Sequence, residues 1–187
     1  MLVRYSLRKN ITSIPNTTKL SNFLKQTNKD TTSNVYRGTL FELQTLESLS
    51  SMTGMSLDHC GGKGDGGIDL RGQWFNQINV LVQCKNTKQG CTPDHIRELM
   101  GTVLSTTTKK KKVLGILSTV SHKQFTRDVL SLFNASPVPL GLAMVEETTL
   151  KSLMFNKKAQ SILKGLTITT QYDAQGNETL FVEMSAK

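Results

Sequence analysis

A chain of 187 residues, 37% hydrophobic and with a single Trp, is long enough to bury one globular core but not a second full domain. Its formal net charge of +9 favours an acidic partner, a nucleic-acid backbone or an anionic membrane surface, yet six of those charges sit in residues 1–29, which hold no acid, leaving +3 for residues 30–187. Three cysteines (Cys60, Cys84, Cys91) are too few and too odd for a disulfide framework, and no apolar run approaches the roughly 20 residues that span a bilayer.

Residues 1–34 are rich in Ser, Thr and Asn, carry Arg4 and Arg8, and lack acids until Asp30. That composition is expected of a mitochondrial transit peptide outside the fold, with a disordered basic arm as the alternative. The domain is expected over 35–187. Tyr36, Leu40, Leu43 and Leu46 give 35–49 a helical period, and Glu42 shares a stripe with Leu46 and Leu49. A short strand over 55–60 then enters a loop with five glycines (Gly61, Gly62, Gly64, Gly66, Gly67), followed by Asp69 on the strand IDLRG. Gly62, Gly64 and Gly67 match G-x-G-x-x-G, but the run opens a strand rather than a helix, which excludes the dinucleotide reading.

INVLVQCK reads as a mostly buried strand whose period of two puts Gln83 and Lys85 on one face and turns Cys84 to the other. Thr92 and Pro93 start a helix with the stripe Ile96, Leu99, Met100, Val103 and Leu104. Lys109 to Lys112 form a solvated basic run before the strand VLGILSTV. A helix is expected over 122–134, a strand over 140–147, a short helix over 148–155, and a hairpin over 166–184 turning at 173–177. Strands alternating with helices give an α/β fold with a mixed sheet flanked by helices.

Phosphodiester hydrolysis needs an ion on the nonbridging oxygens, an activated water, and positive charge near the developing pentacovalent phosphate. A hard cation accepts one or two carboxylates, with water completing its shell. Asp69 and Glu42 are the candidate carboxylates, the Gln83 amide oxygen a neutral ligand, and Lys85 the group that orients water or stabilises charge. The plainer reading of the same residues is a turn-ending acid and a surface ion pair worth under about 1 kcal/mol. Lys63, Lys88 and Arg97 are the nearest candidates for phosphate contacts. His59, His95 and His122 show no zinc-type spacing with the cysteines, and His95 is an ordinary surface residue or a phosphate contact. Cys84 is expected in the core rather than as a nucleophile.

Phe41-Glu42, the string GGKGDGGIDL ending on Asp69, and VQCK together resemble the Mrr-like branch of the PD-(D/E)xK restriction-endonuclease-like superfamily over roughly 35–150. The resemblance implies a metal-dependent site at Glu42, Asp69, Gln83 and Lys85, Mg²⁺ or Mn²⁺ as cofactor, and DNA as substrate. Ile68 stands where the superfamily pattern has Pro, and Gln83 where most members have an acid; losing that charge weakens divalent-ion affinity. With its basic leader, the whole is similar to a fungal mitochondrial family called required for respiratory growth protein 7, which implies a mitochondrial setting. The leading expectation is a DNA endonuclease. Its rivals are a non-catalytic nucleic-acid-binding module, a four-way-junction resolvase acting as a homodimer, and a scaffold with no nucleic-acid affinity.

Overall fold

The chain turns helical at α1 (Asn16–Leu24), within the stretch expected to stand outside the fold, and packs Leu20 and Phe23 into the core beside α2 (Asn34–Thr53). The computed structural model describes residues 16–184 apart from 27–28, 61–65, 76–77, 88–89, 122, 124, 173 and 177. Ser33 caps α2, its hydroxyl accepting from the Tyr36 N–H at 3.1 Å, and Gly54 ends the helix in the left-handed region at φ 72°. Phe41, Leu46 and Leu49 form the buried stripe, and the Phe23 and Tyr36 rings stack at 5.0 Å.

Six strands follow: β1 (Ser56–His59), β2 (Leu70–Trp74), β3 (Ile78–Lys85), β4 (Lys112–Thr119), β5 (Leu140–Glu146) and β6 (Thr149–Phe155). They lie in sequence order in one mixed sheet, with β3–β4 and β4–β5 parallel and the other neighbours antiparallel. Parallel neighbours need crossovers, and α3 (Pro93–Thr106) and α4 (Arg127–Ala135) supply them. Alternation along the strands divides the apolar residues in two. Val80, Val82, Leu114, Ile116 and Ala143 pack with α2, whereas Leu81, Leu117, Leu140 and Leu142 pack with Ile96, Leu99, Val103 and Val129 of α3 and α4. Gly115 permits the close approach of α3: a Cβ there would lie 2.6 Å from Val103 and 3.1 Å from Leu99. α5 (Lys157–Ile162) follows the sheet, and β7 (Leu166–Tyr172) and β8 (Glu178–Met184) form a separate hairpin that buries Val182 in the α2-side core. The fold is thus the expected mixed α/β sheet flanked by helices, with a C-terminal hairpin.

Two elements differ from the sequence reading. Residues 149–155, expected within a helix, are β6. Val145 pairs with Leu150 and Met144 with Ser152, so Lys151 is an extra residue in the ladder. That bulge sets the buried Leu150 and Leu153 three apart, a spacing that imitates a helix turn. The helix expected from residue 122 begins at Arg127, because Thr126 caps it by accepting from the Val129 N–H; Phe125 is buried ahead of the helix.

Candidate functional site

Asp69 is held where β2 begins. Its N–H donates to Val82 O and its carbonyl accepts from the Cys60 N–H, both at 2.9 Å, so its backbone bridges the chain on either side. The carboxylate reaches across to β3, where Oδ2 accepts from the Cys84 N–H at 2.6 Å. Gly66 and Gly67, separated from it by Ile68, have φ of 69° and 73°, a left-handed pair open to glycine at little cost.

Gln83 and Lys85 share a face of β3, as the period of two requires, and both meet Glu98 of α3. The Gln83 side chain is fully enclosed. Its Nε2 donates to Glu98 Oε2 at 2.7 Å, and Lys85 Nζ lies 4.0 Å from that same oxygen. A carboxylate accepts only, so the amide nitrogen must face Glu98. The carbonyl oxygen Oε1 is left buried with no hydrogen-bond partner among the described residues. Such an oxygen is destabilising in a core unless something else satisfies it.

Cys84 turns to the opposite face, toward α2. Burial pushes its thiol well above the ordinary range; Asp69 adds to that, a hydrogen bond with Thr45 opposes it, and Glu42 raises it further. The thiol thus sits in the fields of both candidate carboxylates, and its protonated state suits a core residue rather than a nucleophile. Glu42 itself is occupied: His59 Nε2 lies 2.6 Å from Glu42 Oε2, with both side chains about a quarter exposed or less. A cavity of about 590 Å³ opens between α2 and the end of β3, lined by Asn34, Arg37, Phe41, Cys84, Lys85 and Asn86 among others.

The remaining candidates fall elsewhere. Lys63 and Lys88 lie outside the described residues. Arg97 is exposed on α3 and pairs with Asp94 at 2.6 Å. His95 helps start α3, its Nδ1 accepting from the Thr92 N–H at 3.1 Å, and burial followed by Lys85 lowers its pKa. The lysine run enters β4 at Lys112, in register with Ile78, seven residues from Lys85 along β3. At about 3.3 Å per residue that is roughly 23 Å from the candidate site.

Two groups were not singled out from the sequence. His59 was legible, because alternation in β1 places it on the face of the buried Leu57, toward α2. Glu98 carried a weaker signal as the one acid of α3 beyond its first turn. Asp69 and Gln83 Oε1 are oxygen donors, the type that a hard cation such as Mg²⁺ or Mn²⁺ takes in preference to a softer metal. No cluster of three or more His, Cys, Asp or Glu suited to a metal occurs among the described residues. No helix among them is long and apolar enough to cross a membrane.

The sequence model of the family described as required for respiratory growth protein 7 matches residues 33–76 and 75–181. A mitochondrial protein of Schizosaccharomyces pombe is 36% identical over 155 residues, covering 77% of this chain and 60% of that protein. The mitochondrial required for respiratory growth protein 7 of Lachancea thermotolerans is 30% identical over 158 residues, covering 61% of this chain and 62% of that protein. The chain therefore spans about three fifths of the length of these relatives. Among solved structures, an XisH family protein from Nostoc punctiforme aligns with a TM-score of 0.40 at 10% identity, over 62% of this chain and 98% of that one. The MspJI restriction endonuclease in complex with a 27-mer oligonucleotide aligns at 0.36 and 16% identity, over 68% of this chain and 28% of that one. By the family match and these relatives, the chain belongs to the required for respiratory growth protein 7 family and, like them, is mitochondrial.

Proposed function

We propose that this domain is a metal-dependent endonuclease acting on DNA in mitochondria, with its reaction centre where β2, β3 and α3 meet. The observation that carries the reading is the buried Gln83 carbonyl oxygen, unpartnered among the described residues and next in sequence to the Cys84 amide that holds Asp69. A fold keeps an enclosed acceptor unsatisfied at a cost of about 1–3 kcal/mol, and a ligand oxygen site is a reason to do so. Asp69 Oδ1 or Oδ2 and Gln83 Oε1 would hold Mg²⁺ or Mn²⁺. When bound, the ion supplies charge to the nonbridging oxygens and lowers the pKa of a water.

The chain's own residues divide the rest of the work. The Lys85 ammonium, 23% exposed beside the cavity, stabilises charge on the phosphate as the new P–O bond forms and the bond to the leaving oxygen breaks. The attacking water gives a proton to solvent as the new P–O bond forms, and the leaving oxygen takes one from solvent. Arg37 and Asn34 of α2 line the same cavity as Lys85 and would contact the incoming phosphodiester. The leader before residue 16 is assigned the role of a mitochondrial address.

A second reading has one observation in its favour. His59 engages Glu42, so the second carboxylate expected at the ion is already hydrogen-bonded, which favours a module that binds DNA without cutting it. Cleavage of supercoiled, linear and four-way-junction DNA in Mg²⁺ or Mn²⁺ separates the two, with Asp69→Ala and Lys85→Ala beside the parent. Cutting by the parent alone supports the enzyme, and junction-restricted cutting by a dimer supports a resolvase. Equal DNA binding by all three proteins without cutting by any overturns it in favour of the binding module.

A further inference from the structure

We infer that Glu98 is the positioning residue of this site: its carboxylate fixes the Gln83 amide so that the carbonyl oxygen is presented for a ligand, and it restrains the Lys85 amine. The inference rests on the hydrolytic reading of the same site. Three observations carry it. Glu98 Oε2 accepts from Gln83 Nε2 at 2.7 Å and lies 4.0 Å from Lys85 Nζ, so one oxygen orients the amide and holds a charge near the amine. A flipped Gln83 would point carbonyl against carboxylate, so the charge on Glu98 decides which end of the amide is free.

The pair is also closed in by backbone. A Cβ on Gly67 would lie 2.7 Å from Gln83 Nε2 and 2.7 Å from Glu98 Oε1, so the glycine turn leading to Asp69 packs directly on it. Finally, the bearing helix is anchored. Ile96, Leu99 and Val103 are fully buried, and Thr102 Oγ1 lies 3.2 Å from Glu98 O and 3.3 Å from Gly66 O, tying the helix to the turn. A surface acid that merely neutralised a lysine would need neither the enclosed amide nor the glycine. Glu98 also restores, from the helix, a negative charge that Gln83 does not bring to the strand.

The test compares the full chain with Glu98→Ala, Glu98→Gln, Gln83→Met and the Gln83→Met/Glu98→Ala double variant. Cleavage is measured as kcat and KM in Mn²⁺, and Mn²⁺ affinity without DNA is measured by electron paramagnetic resonance. Glu98→Ala is expected to lower kcat and Mn²⁺ affinity by about 10- to 100-fold, as loss of an outer-shell partner does, with KM changed less than about threefold. Glu98→Gln, whose amide oxygen still accepts from Gln83, is expected to recover much of the loss. In the Gln83→Met background, removing Glu98 adds little. Unchanged kcat and Mn²⁺ affinity in Glu98→Ala, or fully additive losses in the double variant, overturn the inference.

If the parent cuts no DNA, the nuclease reading fails by itself. The positioning role is then decided by Mn²⁺ affinity together with the Gln83 side-chain NH₂ resonances, identified by their absence in Gln83→Met. A shift of these signals in Glu98→Ala with weakened Mn²⁺ binding supports the role, and unshifted signals overturn it.

Discussion

Gln83→Met separates a residue kept for chemistry from one kept for the fold. The wild-type side chain is fully enclosed, makes one hydrogen bond to Glu98, and leaves its carbonyl oxygen unpartnered among the described residues. A bond to a charged group is worth about 1.5–3 kcal/mol, but the Glu98 side chain is 46% exposed and returns to water when released, so the loss is nearer 1 kcal/mol. Methionine has a similar shape and no acceptor to bury, which removes about 1–3 kcal/mol of desolvation penalty. The net expectation is a gain of about 0–2 kcal/mol, or a Tm rise of up to roughly 8 °C for a domain of this size. Urea unfolding reads it through Trp74, the one tryptophan, which is 1% exposed and donates its Nε1–H to Thr53 O at 2.9 Å. Under the proposed hydrolytic function, the same variant is expected to lose cleavage and Mn²⁺ affinity. A destabilisation of about 2 kcal/mol or more would refute the reasoning, because it would make Gln83 a structural residue.

Asn156 is the contrasting buried amide. Its Oδ1 accepts from the Leu140 and Ala159 N–H groups and its Nδ2 donates to Phe133 O and Val138 O, carbonyls that Ser136 also reaches, so Asn156→Ala orphans the two N–H groups and removes four hydrogen bonds. At about 1 kcal/mol each the loss is about 4 kcal/mol, read by urea unfolding. His95 favours its neutral form in the fold, so below about 6.5, its ordinary pKa, the unfolded chain takes up the proton first and stability falls on acidification toward the lower folded pKa. His95→Asn flattens that decline in thermal unfolding, and an NMR titration places the His95 midpoint below 6.5. Burial pushes the Cys91 thiol up to about 11, and burial with Asp69 raises that of Cys84. Mass spectrometry after iodoacetamide at pH 8 finds both unmodified in the folded chain and alkylated in urea.

Patterns with a single period were legible in the sequence. Ile78–Lys85 reads as a strand because both faces are buried, and its alternation carried Gln83 and Lys85 to one side. The C-terminal hairpin was legible from the polar run between two β-branched segments. β6 was not, because one extra residue in its ladder turned a period of two into a spacing of three. Among the candidate residues, the pattern gave the strand positions of Asp69, Gln83 and Lys85 but not their partners. Glu98 lies 15 residues beyond Gln83, and only docking of α3 on the sheet reveals that it faces the amide. Glu42 shows the converse: it stands on α2 as the helical period expects, but its carboxylate is taken by a histidine of β1.

The register of β2 and β3 has a consequence for the order of assembly. Trp74 opposite Ile78 closes a short antiparallel hairpin, and zipping it from the turn brings the Asp69 end of one strand to the Gln83–Cys84 end of the other. Loop closure here costs little entropy, so the acid and the amide meet through local contacts. Glu98 arrives only when α3 carries the chain over to β4 and the slower parallel pairing forms. Mutations that weaken α3 docking therefore speed unfolding more than they slow the first hairpin, and they release the Gln83 amide before the sheet itself opens.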